Sequence, residues 1–248
     1  MPGRRYTYSM GGGYPGVTPI VKRLLIANAL VFFAQMWMPG LTQIGAISNA
    51  RVFEGYLWQP FTYMWLHASL MHLVFNMFAL WMFGGPLEQL WGSRRFLRFY
   101  LVCGVGAGLV ILVWNVLTSQ TTIPTLGASG AVYGVLTAFS LSWPNRTIML
   151  LFPPIPMKAI WFIPFLFFMQ VMFGGGNVSH AGHLGGVLVA AYLLRRELRH
   201  TLGGGWGLRS LRYRWHRYRM RGKLRAVRRE EWERRRQNKD DDDRPTYH

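Results

Sequence analysis

The chain has 248 residues, of which 51% are hydrophobic and only 15% are charged. Soluble domains average about a quarter charged residues, so this composition argues against an ordinary soluble enzyme. Residues 1–194 carry 10 basic and 2 acidic residues, whereas residues 195–248 carry 18 basic and 8 acidic residues. Long uncharged stretches followed by a basic tail indicate a polytopic membrane protein. The single cysteine, Cys103, excludes an intramolecular disulfide and a cysteine-based zinc site.

Six apolar segments are predicted to cross a membrane as helices, each needing about 20 residues. The stretch from Phe99 to Asn145 contains 47 residues without a charge, so it predicts two spans joined by the polar hairpin Ser119–Thr125. The fold class is therefore an all-α, six-helix bundle over residues 20–194, with a leader (1–19) and a basic tail (195–248). The predicted spans are Ile20–Met38, Ala68–Gly84, Arg95–Leu117, Ala128–Trp143, Ala159–Phe173 and Val178–Leu194.

The orientation follows from the basic residues. Six spans that alternate in direction place both termini and the loops after spans two and four on one side of the membrane. Every Lys and Arg outside the spans lies on that side except Arg51, which lies on the opposite side. The positive-inside rule then places both termini in the cytoplasm. No apolar signal-peptide core precedes Lys22, so no cleavable signal peptide is expected. The short leader and the absence of a presequence favour a bacterial inner membrane over an organelle.

Spans two, four and six all begin on the outer side, so polar residues near their amino ends share one depth. Strongly polar groups inside a bilayer are costly and usually mark function. His67 and His180 are expected to be structural or interfacial. The candidate functional residues at this depth are His72, Asn76, Ser129 and His183.

Small residues predict that spans four and six pack closely. Gly130 and Gly134 form a small face on span four, and Gly186 belongs to a similar face on span six. Such packing brings His183 within reach of Ser129, which is the arrangement of an activated nucleophile. Because no acidic residue is available at this depth, the pattern predicts a Ser–His dyad and not a triad.

His72 and Asn76 are four residues apart and therefore share one face of span two. Both side chains can donate hydrogen bonds, so they suit an oxyanion hole. The amino end of the helix that starts at Ser129 adds backbone N–H donors. Gly127 and its small neighbours leave the Ser129 hydroxyl accessible.

Three motifs in order resemble the signature of rhomboid intramembrane serine proteases. They are His-Leu-Val-Phe-Asn at 72–76, Gly-Ala-Ser-Gly at 127–130 and Gly-His-Leu-Gly-Gly at 182–186, and the resemblance covers about residues 18–194. It implies hydrolysis of peptide bonds within or beside the transmembrane segments of other membrane proteins. Substrates of such enzymes typically have a small residue at the cut, followed by a helix-destabilising stretch.

The resemblance also implies residue roles. Ser129 would be the nucleophile and His183 the general base. His72, Asn76 and the Ser129 backbone N–H would form the oxyanion hole, and Tyr133 matches an aromatic residue that stacks on the histidine.

Gly186 supports the choice of His183 over His180, since it completes the family's His-x-x-Gly. Two positions depart from the family pattern: Gln59 follows Trp58 where an arginine is common, and Ala190 replaces a second glycine. The stabilising role of that arginine in the first loop is thus expected to be missing.

Other functions remain open at this point. Four histidines could ligate a metal, but the sequence lacks His-Glu-x-x-His, and no metal or cofactor is expected. A catalytically silent protein that binds transmembrane helices is the main alternative, and a small transporter is a further one, although no inverted repeat is evident. The Arg-rich tail predicts binding to anionic lipid headgroups, with no nucleic-acid partner expected.

Overall fold

A computed structural model describes residues 17–149, 154–173 and 180–195. The chain divides into two units, residues 1–195 and 196–248, and all described residues belong to the first. Most of the predicted leader, the start of the sixth predicted span at Val178 and the basic tail from residue 196 lie outside the described residues.

Helices account for most of the described chain. Two helical segments are not α-helical: a 3₁₀ turn at Tyr63–Trp65 and a π-helix at Leu80–Gly84. The regular elements in the described ranges are α1 (Pro19–Trp37), α2 (Gly40–Gly45), α3 (Asn49–Phe53), α4 (Gln59–Thr62), α5 (Leu70–Ala79), α6 (Gly85–Trp91), α7 (Ser93–Leu117), α8 (Ser129–Ser142), β1 (Thr147–Met149), β2 (Pro156–Lys158), α9 (Ala159–Phe173) and α10 (His180–Leu193).

The predicted all-α membrane fold is confirmed. Helices α1, α5, α7, α8, α9 and α10 fall on the six predicted spans in order. Three continuous helical stretches in the described residues are long and apolar enough to cross a bilayer: Pro19–Trp37, Leu70–Trp91 and Ser93–Leu117. Helices α8 and α9 are apolar but shorter.

The second span is longer than predicted. It was expected to end at Gly84, but helical structure continues through the π-helix and α6 to Trp91. Proline lacks an N–H and collides with the carbonyl four residues earlier in a regular helix. A π-helical turn directly before Gly85-Pro86 relieves such a conflict, because it widens the helix locally.

A two-stranded hairpin connects α8 and α9 and was not predicted. Strand β1 pairs antiparallel with β2, with Ile148 opposite Met157. Three-residue strands are too short to show a clear alternation of polar and apolar residues. They are therefore difficult to predict from the sequence pattern. The hairpin adds a minor element to the helical bundle.

The first loop is braced by Gln59, contrary to the expectation that replacing the usual arginine leaves the loop without this support. The fully buried Gln59 side chain accepts a hydrogen bond from the Ser48 backbone N–H at 3.2 Å. It also donates to the Ile44 carbonyl at 3.1 Å, and the Trp58 indole N–H donates to the same carbonyl. The amide therefore joins α2, α3 and α4 into one unit.

Glu88 on α6 anchors the amino end of α1. Its carboxylate accepts the backbone N–H groups of Ile20 at 2.9 Å and Val21 at 3.0 Å, and the Ser93 hydroxyl at 2.6 Å. The first N–H groups of a helix have no partner within it, and the helix dipole favours an anion there. This acidic residue thus serves the fold at the end of the bundle opposite the candidate site.

Helix α8 lies at the centre of the bundle. It packs against α7, α9 and α10, and most of its length is buried. Its approach to α10 uses glycine, as the small-residue faces predict: a Cβ on Gly186 would collide with the Gly130 carbonyl oxygen, and one on Gly134 would lie 3.5 Å from the Gly186 carbonyl oxygen. Ser129, the first residue of α8, is held in place by this contact.

Candidate active site

Five of the predicted site residues line one large cavity. This cavity has a volume of about 1520 Å³ and lies among α5, α8, α9 and α10. The predicted site side chains on its wall are His72, Asn76, Ser129, Tyr133 and His183. The structure therefore brings together residues from three helices that lie between positions 72 and 183 of the sequence.

The loop before α8 determines where Ser129 sits. Ile47 and Thr125 form an antiparallel bridge with N–H···O distances of 2.9 and 2.8 Å. The Gly127 N–H then donates to the Tyr63 carbonyl at 2.9 Å. As the first residue of α8, Ser129 has a backbone N–H that the helix itself does not use. That N–H can serve as a hydrogen-bond donor toward the cavity.

Glycine is required at position 127 by the backbone conformation and by the neighbouring side chains. Its φ of +132° lies in a region that side chains other than glycine rarely adopt. A Cβ at this position would come within 2.7 Å of the His72 ring and 3.8 Å of the Ser129 hydroxyl oxygen. The His72 imidazole and the Ser129 hydroxyl thus flank the same glycine.

His72 and Asn76 are oriented by contacts within α5 and its first turn. The Ala68 N–H lies 3.5 Å from His72 Nδ1, so Nδ1 accepts and Nε2 of the neutral ring carries the proton. The Asn76 amide donates one N–H to the His72 carbonyl at 3.0 Å, which leaves its second N–H available. Each side chain therefore has a donor to offer to the cavity.

His183 on α10 stacks on Tyr133 of α8. The ring centroids are 4.2 Å apart and the ring planes differ by 16°. Tyr133 lies one helical turn after Ser129, so stacking fixes the histidine ring beside the turn that carries the serine. A Cβ at Gly130 would lie 3.3 Å from the Gly182 carbonyl oxygen, which shows how closely the two helices approach at this level.

Gln170 on α9 was missed in the sequence reasoning. Its side chain is 8% exposed, and its carbonyl oxygen lies 2.7 Å from His183 Nδ1 and 3.3 Å from the Tyr133 hydroxyl. Its amide nitrogen lies 2.6 Å from His180 Nδ1. The available signal was that Gln170 is an isolated amide in the otherwise apolar helix α9, and such residues in membrane helices usually have a purpose.

His67 lies in the loop before α5 and packs edge-on against His72, with ring centroids 5.1 Å apart. It is almost fully buried, and neither ring nitrogen has a hydrogen-bond partner in the described part of the chain. Burial lowers the pKa of His67 to about 4, since the charged ring would lose its hydration. A neutral His67 supports the His72 ring by packing alone.

Comparison with known proteins identifies the family of the chain. The family model described as Rhomboid domain matches residues 54–198. The chain is 30% identical over 201 residues to Rhomboid protease GluP of Bacillus subtilis (strain 168), an alignment that covers 78% of the chain and 38% of that protein.

Two mitochondrial proteins are also similar. Rhomboid protein 1 of Saccharomyces cerevisiae is 34% identical over 156 residues, which cover 56% of the chain and 44% of the relative. Presenilin-associated rhomboid-like protein of Mus musculus is 30% identical over 193 residues, which cover 75% of the chain and 49% of the relative. The chain spans less than half the length of these relatives. The family match and the three-helix site together establish that this multi-pass membrane protein belongs to the rhomboid family.

Proposed function

We propose that the chain is an intramembrane serine endopeptidase that hydrolyses peptide bonds in or near the transmembrane segments of other membrane proteins. One observation carries this proposal: Ser129 and His183 line the same cavity, with His183 stacked on Tyr133 one turn beyond the serine. Membership in a family that includes a relative named as a protease supports the same conclusion.

The proposed reaction is acyl transfer to the serine. His183 Nε2 removes the proton from the Ser129 hydroxyl as the oxygen attacks the scissile carbonyl carbon, and a tetrahedral intermediate forms. His72, Asn76 and the Ser129 N–H donate to the developing oxyanion. His183 then gives its proton to the leaving amine, and the acyl-enzyme is hydrolysed by water that the same histidine activates. No cofactor or metal takes part.

The cavity wall suits a transmembrane segment as the substrate. Phe75 and Phe78 on α5 face the cavity together with Phe162 and Phe165 on α9. An apolar helix could therefore approach from the bilayer between α5 and α9 without exposing its side chains to water. A small residue at the cut and a helix-destabilising stretch after it would let the chain unwind beside Ser129.

The proposed membrane topology rests on the distribution of basic residues between the two sides of the membrane. We propose that the protease domain comprises residues 20–194, with the leader (1–19) and tail (195–248) both in the cytoplasm. The tail's basic residues suit anionic lipid headgroups. Relatives come from a bacterium and from mitochondria, and the excess of cations on one side is compatible with the proposed bacterial inner membrane.

Labelling with a fluorophosphonate probe tests the proposal directly. Detergent-purified protein should become covalently labelled, and Ser129→Ala and His183→Ala should both abolish labelling, since the probe reacts only with an activated serine. Ser140→Ala is the matched control: Ser140 is a second serine of α8, is buried outside the cavity lining, and should not affect labelling.

Other outcomes have definite meanings. Labelling that persists in Ser129→Ala would place the nucleophile elsewhere. If folded wild-type protein reacts with none of several probes and cleaves no transmembrane substrate, the alternative function, binding of transmembrane helices without catalysis, replaces the protease.

The oxyanion donors have a separate expected effect. His72→Ala and Asn76→Ala should each reduce kcat by about 10²- to 10³-fold, the usual effect of removing one oxyanion-hole donor, with KM little changed. The matched control is Asn28→Ala, because buried Asn28 makes the same hydrogen bond to the carbonyl four residues earlier but lies on α1. Equal losses of kcat in Asn28→Ala and Asn76→Ala would contradict the assignment.

A further inference from the structure

Gln170 connects three side chains of the cavity wall that come from two other helices. Its carbonyl oxygen lies 2.7 Å from His183 Nδ1 and 3.3 Å from the Tyr133 hydroxyl, whereas its amide nitrogen lies 2.6 Å from His180 Nδ1. The Gln170 side chain is buried and uncharged. Its orientation is therefore described by these three contacts.

The orientation of this amide decides which nitrogen of His183 can act as a base. A carbonyl oxygen only accepts hydrogen bonds, so His183 Nδ1 must carry the ring proton. In the neutral ring, Nε2 is then unprotonated and can accept the proton of Ser129. If the amide were reversed, its N–H would donate to Nδ1, the proton would lie on Nε2, and His183 could no longer act as a base toward the serine.

His180 and Tyr133 are hydrogen-bond partners of the Gln170 amide in this orientation. His180 Nδ1 faces the amide nitrogen at 2.6 Å and therefore accepts from it. The Tyr133 hydroxyl donates to the carbonyl oxygen, although at 3.3 Å this contact is longer. Both contacts are satisfied when the amide oxygen faces His183 and the amide nitrogen faces His180.

We propose that Gln170 is a positioning residue that fixes the tautomer and the ring orientation of His183. The inference rests on the proposed function, in which His183 is the general base. It gives the dyad a third, neutral member in the place where an acid stands in a triad. Because Gln170 lies on α9, the proposed tautomer of His183 depends on the contact between α9 and α10.

Three variants test the proposal on the full chain in proteoliposomes, with cleavage of a transmembrane peptide as the readout. Gln170→Leu removes both polar groups at nearly constant volume and should lower kcat by about 10- to 100-fold with KM little changed, a size typical for partners that orient a functional histidine. Thr137→Val is the control for loss of a buried hydrogen bond nearby, since the Thr137 hydroxyl bonds to its own helix, and it should keep wild-type kcat.

Gln170→Glu separates positioning from folding. A carboxylate still accepts a hydrogen bond from His183 Nδ1–H and stabilises the charged ring, so kcat should stay within about fivefold of wild type. The acid limb of the pH–rate profile should move to higher pH by about one unit or more, as expected beside an opposite charge. A residue that only supports the fold would not shift this limb.

The possible results are distinguishable from failure of the proposed function. If wild-type protein neither labels nor cleaves, the protease proposal fails and the role of Gln170 fails with it. If wild type is active and Ser129→Ala is inactive, while folded Gln170→Leu cleaves at the wild-type rate, the Gln170 proposal alone is overturned. If Gln170→Leu does not fold, an unshifted pH profile in Gln170→Glu overturns it.

Discussion

Cleavage of a transmembrane substrate by Ser129→Ala or His183→Ala is expected to fall to the background rate, a loss of about 10⁴- to 10⁶-fold in kcat. The serine supplies the attacking oxygen, and without the histidine that oxygen keeps its proton. Because the two residues act as a unit, the double variant should be no slower than either single variant. The measurement is kcat in proteoliposomes at saturating substrate.

The controls separate chemistry from folding. Ser129→Ala should keep the wild-type melting temperature, since Ser129 is only partly buried, and Ser140→Ala should keep the wild-type kcat. His183→Ala loses the contacts to Tyr133 and Gln170, so its melting temperature should fall and its kcat is measured on the protein that remains folded. A double variant that is slower than both singles by the product of their effects would show that the residues act independently, and the dyad would then be wrong. Full activity in His183→Ala would move the general base to another residue.

Much of the bundle could be predicted because the bilayer restricts what a sequence can do. A stretch of 47 uncharged residues has to cross twice, and α7 and α8 do lie there. Once alternation was fixed, His72, Ser129 and His183 had to share one depth. The glycine spacing on α8 and α10 then predicted a close contact, and the Gly130–Gly186 approach confirms it.

Features that depend on tertiary contacts could not be predicted in this way. Gln170 resembles any single polar residue in an apolar helix until α9 is packed against α8 and α10, and only then do its two ends meet different histidines. Gln59 looked like the loss of an arginine, yet a shorter side chain reaches the carbonyl of Ile44 and the N–H of Ser48. Local sequence patterns do not identify hydrogen-bond partners that come from other elements of the fold.

Gly186→Ala is expected to lower both the stability and the activity of the protein. The added Cβ would collide with the Gly130 carbonyl oxygen and lie 2.9 Å from its carbonyl carbon, so backbone meets backbone and no side chain can rotate away. Overpacking of this kind costs about 3 kcal/mol at the upper end of its usual range. Helices α8 and α10 must then separate, and since Gly130 directly follows Ser129, the nucleophile moves away from His183.

The measurement pairs thermal unfolding with kcat. For a domain of this size, the expected loss lowers the melting temperature by roughly 10 °C, and kcat should fall by at least about tenfold in the protein that remains folded, since a misplacement of about 1 Å costs up to 10²-fold.

Gly85→Ala is the matched control, because a Cβ there has no neighbour closer than the Thr18 hydroxyl at 4.0 Å. Since alanine also favours helix over glycine, this control should be neutral or slightly stabilising. Gly186→Ala protein with wild-type stability and kcat would show that the two helices can separate at this level without moving Ser129, and the close contact would then have no part in holding the site together.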